Sequence, residues 1–484
     1  MRGKKPKSTI SNKKPTPQSE DIPVEDQPFS RQEFDVSRDD SRRKSRRRYL
    51  LASAVGGQAL HHAFFATAQA YCKHRQAQLV ILPMRGVSKT NQMYPRELQQ
   101  FANHFVSDYV LNSNLKALDL MLYPQQQQPL LGLDRLGQKD RSLIVAHPKQ
   151  HMRTTPVSNL ATPHLLLSTG AITVADNYAR TRAGMLAEQD HVVGGLIVEV
   201  EDNVLFHVRQ IQADESGGFN DLETYYVENT RKPAVVEALV IGDYHVGSED
   251  PMAVLAWQEL AALVKPRRIA FHDFADQLST NHHLEHNVVA RLSRPEKFRS
   301  IETEIEAVQS TLELWRRKFP KPEFLMVASN HNEFLDRHIL ALKHFKEDHN
   351  LRIGNRMLEA MFSGHSNPIE WFLKERGFKD EKTTWLRRDQ DYKVCGIQLA
   401  SHGDKGPNGS RGGVQSLRNI GPAICGHFHS PQILSPLWVV GTTTRLNLDY
   451  TKGHASSWLH SSCLLYANGQ RSMINAIQGA FRMQ

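Results

Sequence analysis

Five apolar runs in the second half of the chain each stop at residues that ligate metals, and this repeated ending constrains the fold most. Val235–Ile241 leads into Gly242-Asp243-Tyr244-His245, and Arg268–Phe271 into His272-Asp273-Phe274-Ala275-Asp276. Phe324–Ala328 leads into Ser329-Asn330-His331, Val394–Ala400 into Ser401-His402, and Ala423–Gly426 into His427-Phe428-His429. Short apolar runs bounded by Gly and polar residues predict buried strands. Asp243 and His245 are two residues apart, so on an extended segment both side chains point the same way. Carboxylate, amide and imidazole groups can together hold two divalent ions, with one carboxylate between them. Such a pair binds phosphate oxygens and generates a hydroxide nucleophile. Any one of these pieces is commonplace in a chain with 24 histidines. The ordered set carries the signal.

Helical periodicity separates these runs. Ile301, Ile305, Val308, Leu312 and Trp315 recur at helical spacing, edged by Glu302, Glu304, Glu306, Arg316 and Arg317, which predicts an amphipathic surface helix. Strands alternating with helices predict a layered α/β domain over 233–484. Its segment 334–390 reads as a helical insertion.

The chain has 484 residues, enough for more than one domain. Residues 1–48 are rich in Lys, Ser, Pro, Asp and Gln and predict a disordered basic leader. Residues 49–230 predict an α/β accessory domain with runs at Ser142–Ala146, Pro163–Ser168 and Val192–Val200. The last continues through an acidic turn, Glu201-Asp202-Asn203, into Val204–Val208. Gly170, Asn177, Gly184 and Gly217 are expected turn positions. The net charge of +9 is uneven: the leader carries +6 and the remainder only +3. The leader can concentrate a polyanion nearby or simply be solvated. Four cysteines without metal-ribbon spacing fit free thiols. No apolar stretch is long enough to span a membrane.

The five motifs, in this order, resemble the calcineurin-like metallophosphoesterase superfamily over roughly residues 233–450. The resemblance implies an αββα two-sheet sandwich with the ligands on loops at one edge. By it, one ion takes Asp243, His245 and His429, and the other takes Asn330, His402 and His427. Asp273 bridges them, and His331 stabilises the transition state or protonates the leaving oxygen. Two positions depart from the family: His272 and Ser329 stand where Gly is usual. Neither change removes a ligand, and His272 is expected to face outward rather than hydrogen-bond a ligand. Oxygen and nitrogen donors without thiolate suit Mn²⁺, Fe, Zn²⁺ or Ni²⁺, with Mg²⁺ also allowed. Mn²⁺ is favoured by the likeness to nuclease members.

The ligands do not separate nucleases from phosphomonoesterases or nucleotide hydrolases. Gly403–Gly413 is a Gly-rich loop beside His402, with Lys405 and Arg411 expected to be available to phosphate oxygens or merely solvated. Gln78–Gly86, Ser168–Tyr178 and Asp190–Gly195 resemble a tailed-phage family of early proteins that assist DNA transfer and degrade host DNA. That likeness implies a Mn²⁺-dependent DNase, assembled as a homo-oligomer and contacting the DNA backbone without sequence preference. A non-enzymatic role in DNA transfer is the remaining alternative. Ser45–Leu51 looks superficially like a twin-arginine export signal. However, His61 and His62 interrupt the apolar stretch, and a helix and a buried strand follow directly. A cytoplasmic location is therefore expected, in the host if the chain is phage-encoded.

Overall fold

The computed structural model describes residues 46–483, apart from 88–92, 100–104, 107, 119, 138–140, 159–161, 286, 293–294 and 449–452. Most of the basic leader thus lies outside the described residues. Its last residues do not: Arg47–Val55 is a strand, parallel to Ala77–Met84 and antiparallel to Gly194–Val200. The helix His62–Arg75 connects the parallel pair, because Phe64, Ala68, Tyr71 and Cys72 bury one face against the sheet. The fourth strand, Phe206–Gln212, forms the expected hairpin with Gly194–Val200. Asp202 closes its acidic turn by accepting from Val204 N and Leu205 N, both at 2.7 Å.

Two larger sheets make the centre. The first has six strands in the order Thr383–Trp385, Glu323–Met326, Arg268–Phe271, Val236–Ile241, Ser461–Tyr466 and Arg471–Asn475. The first four run parallel, so their carboxyl ends gather on one edge. Side chains alternate across this sheet. Ala238, Val240, Ala270 and Leu325 face a core shared with Ile424, Ile433 and Trp438 of the second sheet. Leu239, Ile241, Phe271 and Phe324 face helices. Those helices are Pro251–Val264, which presents Trp257 and Leu260, and Ile301–Lys318, which buries Ile301, Ile305, Val308, Leu312 and Trp315. Ser300 caps the second through Thr303 N at 3.2 Å, and Arg316, Arg317 and Lys318 lie at its carbonyl end. Glu304 departs from the expected solvent edge. It is buried and accepts from Leu278 N (2.6 Å) and Ser279 N (2.9 Å), because the loop after Asp276 folds over it.

The second sheet has ten strands and crosses the boundary expected near residue 230. Gln432–Leu434 pairs with Met152–Thr155, which joins strands from both halves in one hydrogen-bonded sheet. Ser472 Oγ also donates to Gln210 O (3.1 Å), and Asp190 accepts from both Lys149 (3.0 Å) and Arg418 (3.1 Å). The molecule is mixed α/β with several sheets. Two sequence expectations are corrected. Gly184 lies inside the helix Arg182–Gln189, not at a turn; a Cβ there would come 1.8 Å from Ala179 O. The Val394–Ala400 run is not one strand, since Cys395 and Gly396 both have positive φ and turn it into a hairpin.

Residues 334–390 carry three helices, Asn332–Leu340, Asp348–Phe362 and Pro368–Glu375, before the edge strand Thr383–Trp385. At the amino ends of the parallel strands, a cavity of about 630 Å³ is lined by Arg75, Arg231, Lys232, Lys265 and Arg267. The helices His62–Arg75 and Pro251–Val264 end there, with Arg75 paired to Glu199 (3.6 Å) and Arg267 to Glu237. Among the described residues no helix is long and apolar enough to cross a membrane.

Candidate metal centre

All seven expected ligands converge where the carboxyl ends of the two sheets meet. Asp243, His245, Asp273, His402 and His429 are buried, while Asn330 and His427 are partly open to solvent. Three groups can each offer atoms within 4.8 Å of one another: Asp243, His245 and His429; Asp243, His272 and His402; and His245, Asp273 and His331. His402 Nε2 lies 3.0 Å from Asp273 Oδ2 and 3.1 Å from Asn330 Oδ1, and its ring meets that of His427 edge to face at 5.3 Å.

The convergence does not come from strand alternation alone. His245, Asp273, His427 and His429 all have left-handed backbones, with φ of 50°, 43°, 77° and 57°. Such conformations cost non-glycine residues energy and persist only where surroundings enforce them. Here His245 N donates to Asp273 O (2.8 Å), Tyr244 N to His272 O (2.9 Å), and His427 N to both Asp243 oxygens (3.0 and 2.8 Å). The expected extended geometry at Asp243–His245 is therefore corrected: a turn, not a pleat, brings His245 into the cluster. Gly426 is needed for contact, since a Cβ there would come 2.2 Å from Asp243 Oδ1.

Two polar atoms facing this cluster have no hydrogen-bond partner. His245 Nε2 and Asp273 Oδ1 are buried without hydrogen bonds, while His429 reaches Asp243 Oδ2 through its Nε2 at 3.0 Å. Orphaned atoms of this kind are rare unless an ion or water completes them. His245 is oriented for ligation from behind: its Nδ1 lies 2.9 Å from Asp276 Oδ1, which leaves Nε2 with its lone pair toward the cluster. Ser248 Oγ donates to the other Asp276 oxygen at 2.8 Å. The donors are oxygen and nitrogen; burial pushes the nearby Cys425 thiol up and keeps it protonated.

Burial alone would raise the carboxyl pKa values, but the imidazoles prevail. The His429 hydrogen bond and the His402 charge hold Asp243 well below the usual carboxylate range. His402 and His331 do the same for Asp273, and His245 and His331 for Asp276. Against its own burial, His331 is pushed up to about 10 by Asp273 and Asp276. Its Nδ1 lies 2.8 Å from Asp276 O and 3.0 Å from Asp276 Oδ1, so Nε2 is left for other contacts.

Three features escaped the sequence. Asp276 stands in the D-x-x-D spacing, and its contacts with both His245 and His331 are not legible in the sequence. His272 was expected to face outward; it is fully buried and stacks on His402, with ring centroids 5.5 Å apart. The adjoining Gly426 leaves the space it fills. Lys405 was expected to be available to phosphate, but it pairs with Glu333, as does Arg388 (3.1 Å), while Arg388 also binds Asp404 (3.0 Å). Arg411 is exposed and bridges Lys405 backbone to backbone.

No protein-family model and no solved structure matches the chain. Protein A1 of Escherichia phage T5 is 26% identical over 479 residues, covering 90% of this chain and 83% of that protein. The chain is thus similar, across both of its halves, to a phage protein.

Proposed function

We propose that the chain is a two-metal phosphodiesterase of the calcineurin-like type and that its substrate is DNA. The observation that carries this reading is the pair of unpartnered, buried ligand atoms at a strained strand-end cluster, His245 Nε2 and Asp273 Oδ1. One ion would be held by Asp243, His245 and His429, the other by Asn330, His402 and His427, with Asp273 shared. When bound, two such ions supply Lewis acidity toward phosphate oxygens and lower the pKa of water; Mn²⁺ is the expected pair.

The chain's own residues do the rest. Asp276 fixes the ring of His245 and that of His331. His331 sits at the partly open side of the cluster, with Nδ1 engaged by Asp276 and Nε2 able to give a proton to the leaving oxygen. The two facing sheets, the helices on the outer face of one and the ligands at one edge support the αββα sandwich reading. The similarity to a phage protein over most of the chain supports the DNA reading, since it takes in the N-terminal segments on which the phage likeness rests.

The test is a comparison of substrates with chelator-stripped protein and added Mn²⁺, Mg²⁺ or Zn²⁺. Cleavage of linear, circular or single-stranded DNA is expected with Mn²⁺. Phosphate release from monoesters with all DNA left intact would replace this reading by a phosphomonoesterase.

A further inference from the structure

We infer that His272 is a positioning residue that fixes which nitrogen of His402 is open to an ion. The inference rests on the metal-centre reading above and deepens it. His272 Nδ1 faces His402 Nδ1 at 3.3 Å, with the two rings stacked at 30°. Two facing imidazole nitrogens form a hydrogen bond only when one bears a proton and the other a lone pair. The other nitrogen of His402, Nε2, points at Asp273 Oδ2 and Asn330 Oδ1, so it is the one that would meet an ion and must then be unprotonated. The His402 proton must sit on Nδ1, and His272 Nδ1 is the acceptor placed to receive it. His272 in turn keeps its own proton on Nε2.

His272 Nε2 is buried with no partner, in a residue with no exposed surface. A phenylalanine would fill the same space without stranding a polar atom, so packing does not account for the imidazole. The ring also has little freedom to turn away. Gly426 is close enough that a Cβ there would lie 2.9 Å from both Cβ and Cγ of His272. Partners behind metal-ligating histidines are usually carboxylates or carbonyls; here a second imidazole would do that work.

The experiment is a calorimetric titration of the chelator-stripped full-length chain with Mn²⁺, comparing wild type with His272→Phe and His272→Asn. Phe keeps an aromatic ring, slightly larger than imidazole, and removes the acceptor; Asn restores an acceptor near the Nδ1 position. Wild type is expected to bind two ions. His272→Phe should weaken one of them by about 10–100-fold and leave the other unchanged, with His272→Asn recovering most of the loss. Metal-free melting curves check that the variants fold, and His272→Leu replaces Phe if that variant does not. Long-range ¹H–¹⁵N spectra of the Zn²⁺-loaded wild type should place the His402 proton on Nδ1. Unchanged binding in His272→Phe, or equal losses in Phe and Asn, would each overturn the role of His272 while leaving the metal centre intact; a His402 proton on Nε2 would overturn it together with His402 as a ligand through that nitrogen. A wild type that binds no ion would overturn both.

Discussion

Asp276 engages His245 through Nδ1 and His331 through both its carboxylate and its carbonyl oxygen, so one residue orients an expected ligand and the expected proton donor. Asp276→Asn should therefore lower ion affinity and hydrolysis together, by about 10–100-fold, in parallel calorimetric and cleavage assays. His331→Ala should separate the two, slowing hydrolysis by about 10²–10⁴-fold while ion affinity holds; a matching loss of affinity would make His331 a ligand instead. Gly426→Ala should cost about 1–3 kcal/mol in a urea titration, because its Cβ would meet Asp243 Oδ1 at 2.2 Å. At this scale the sequence was most legible. The residue types and their order picked out seven side chains that the fold brings together, since metal chemistry limits which side chains can serve. What it could not convey was orientation. His272 and Asp276 act through contacts between segments far apart in the chain, and nothing in either residue's neighbourhood specifies them.

The helix Ile301–Lys318 couples its own burial to the metal centre, because Glu304 holds the loop that follows Asp276. Burial outweighs the two backbone donors and pushes Glu304 up to about 7. A carboxyl whose folded pKa lies above its unfolded value of 4.5 adds stability at low pH and loses it as pH rises from about 4.5 through 7. Urea midpoints measured at pH 5, 6 and 7.5 should consequently fall more steeply for wild type than for Glu304→Gln. Equal slopes would mean that Glu304 is ionised throughout. The helix itself could be read from its apolar spacing, but the inward turn of Glu304 could not, since helical period assigns a charged residue beside the stripe to solvent. The Val394–Ala400 run misled for a related reason: apolar character marks burial, and the Cys395-Gly396 turn lies within a run that is almost wholly apolar.

The whole molecule is less divisible than its sequence suggests. A composition change near Pro233 marks where the candidate ligand motifs begin, yet Gln432–Leu434 pairs with Met152–Thr155 and Asp190 takes cations from both halves. Pairing between such short, distant strands leaves no periodic trace, which is why the ten-stranded sheet was not foreseen. A chain beginning at residue 233 would expose the edge of Gln432–Leu434 and is expected to aggregate on expression, whereas the full chain should melt in one transition. A soluble, cooperatively folding fragment would show that the halves are independent. Phosphodiester hydrolysis by the joined molecule is tested by incubating chelator-stripped wild type and Asp273→Asn with plasmid DNA before and after Mn²⁺ is restored. Cleavage is expected from wild type only after Mn²⁺ returns, and none from Asp273→Asn under either condition; DNA left intact by wild type with two bound ions, or cut equally by both proteins, would overturn the metal-dependent nuclease reading.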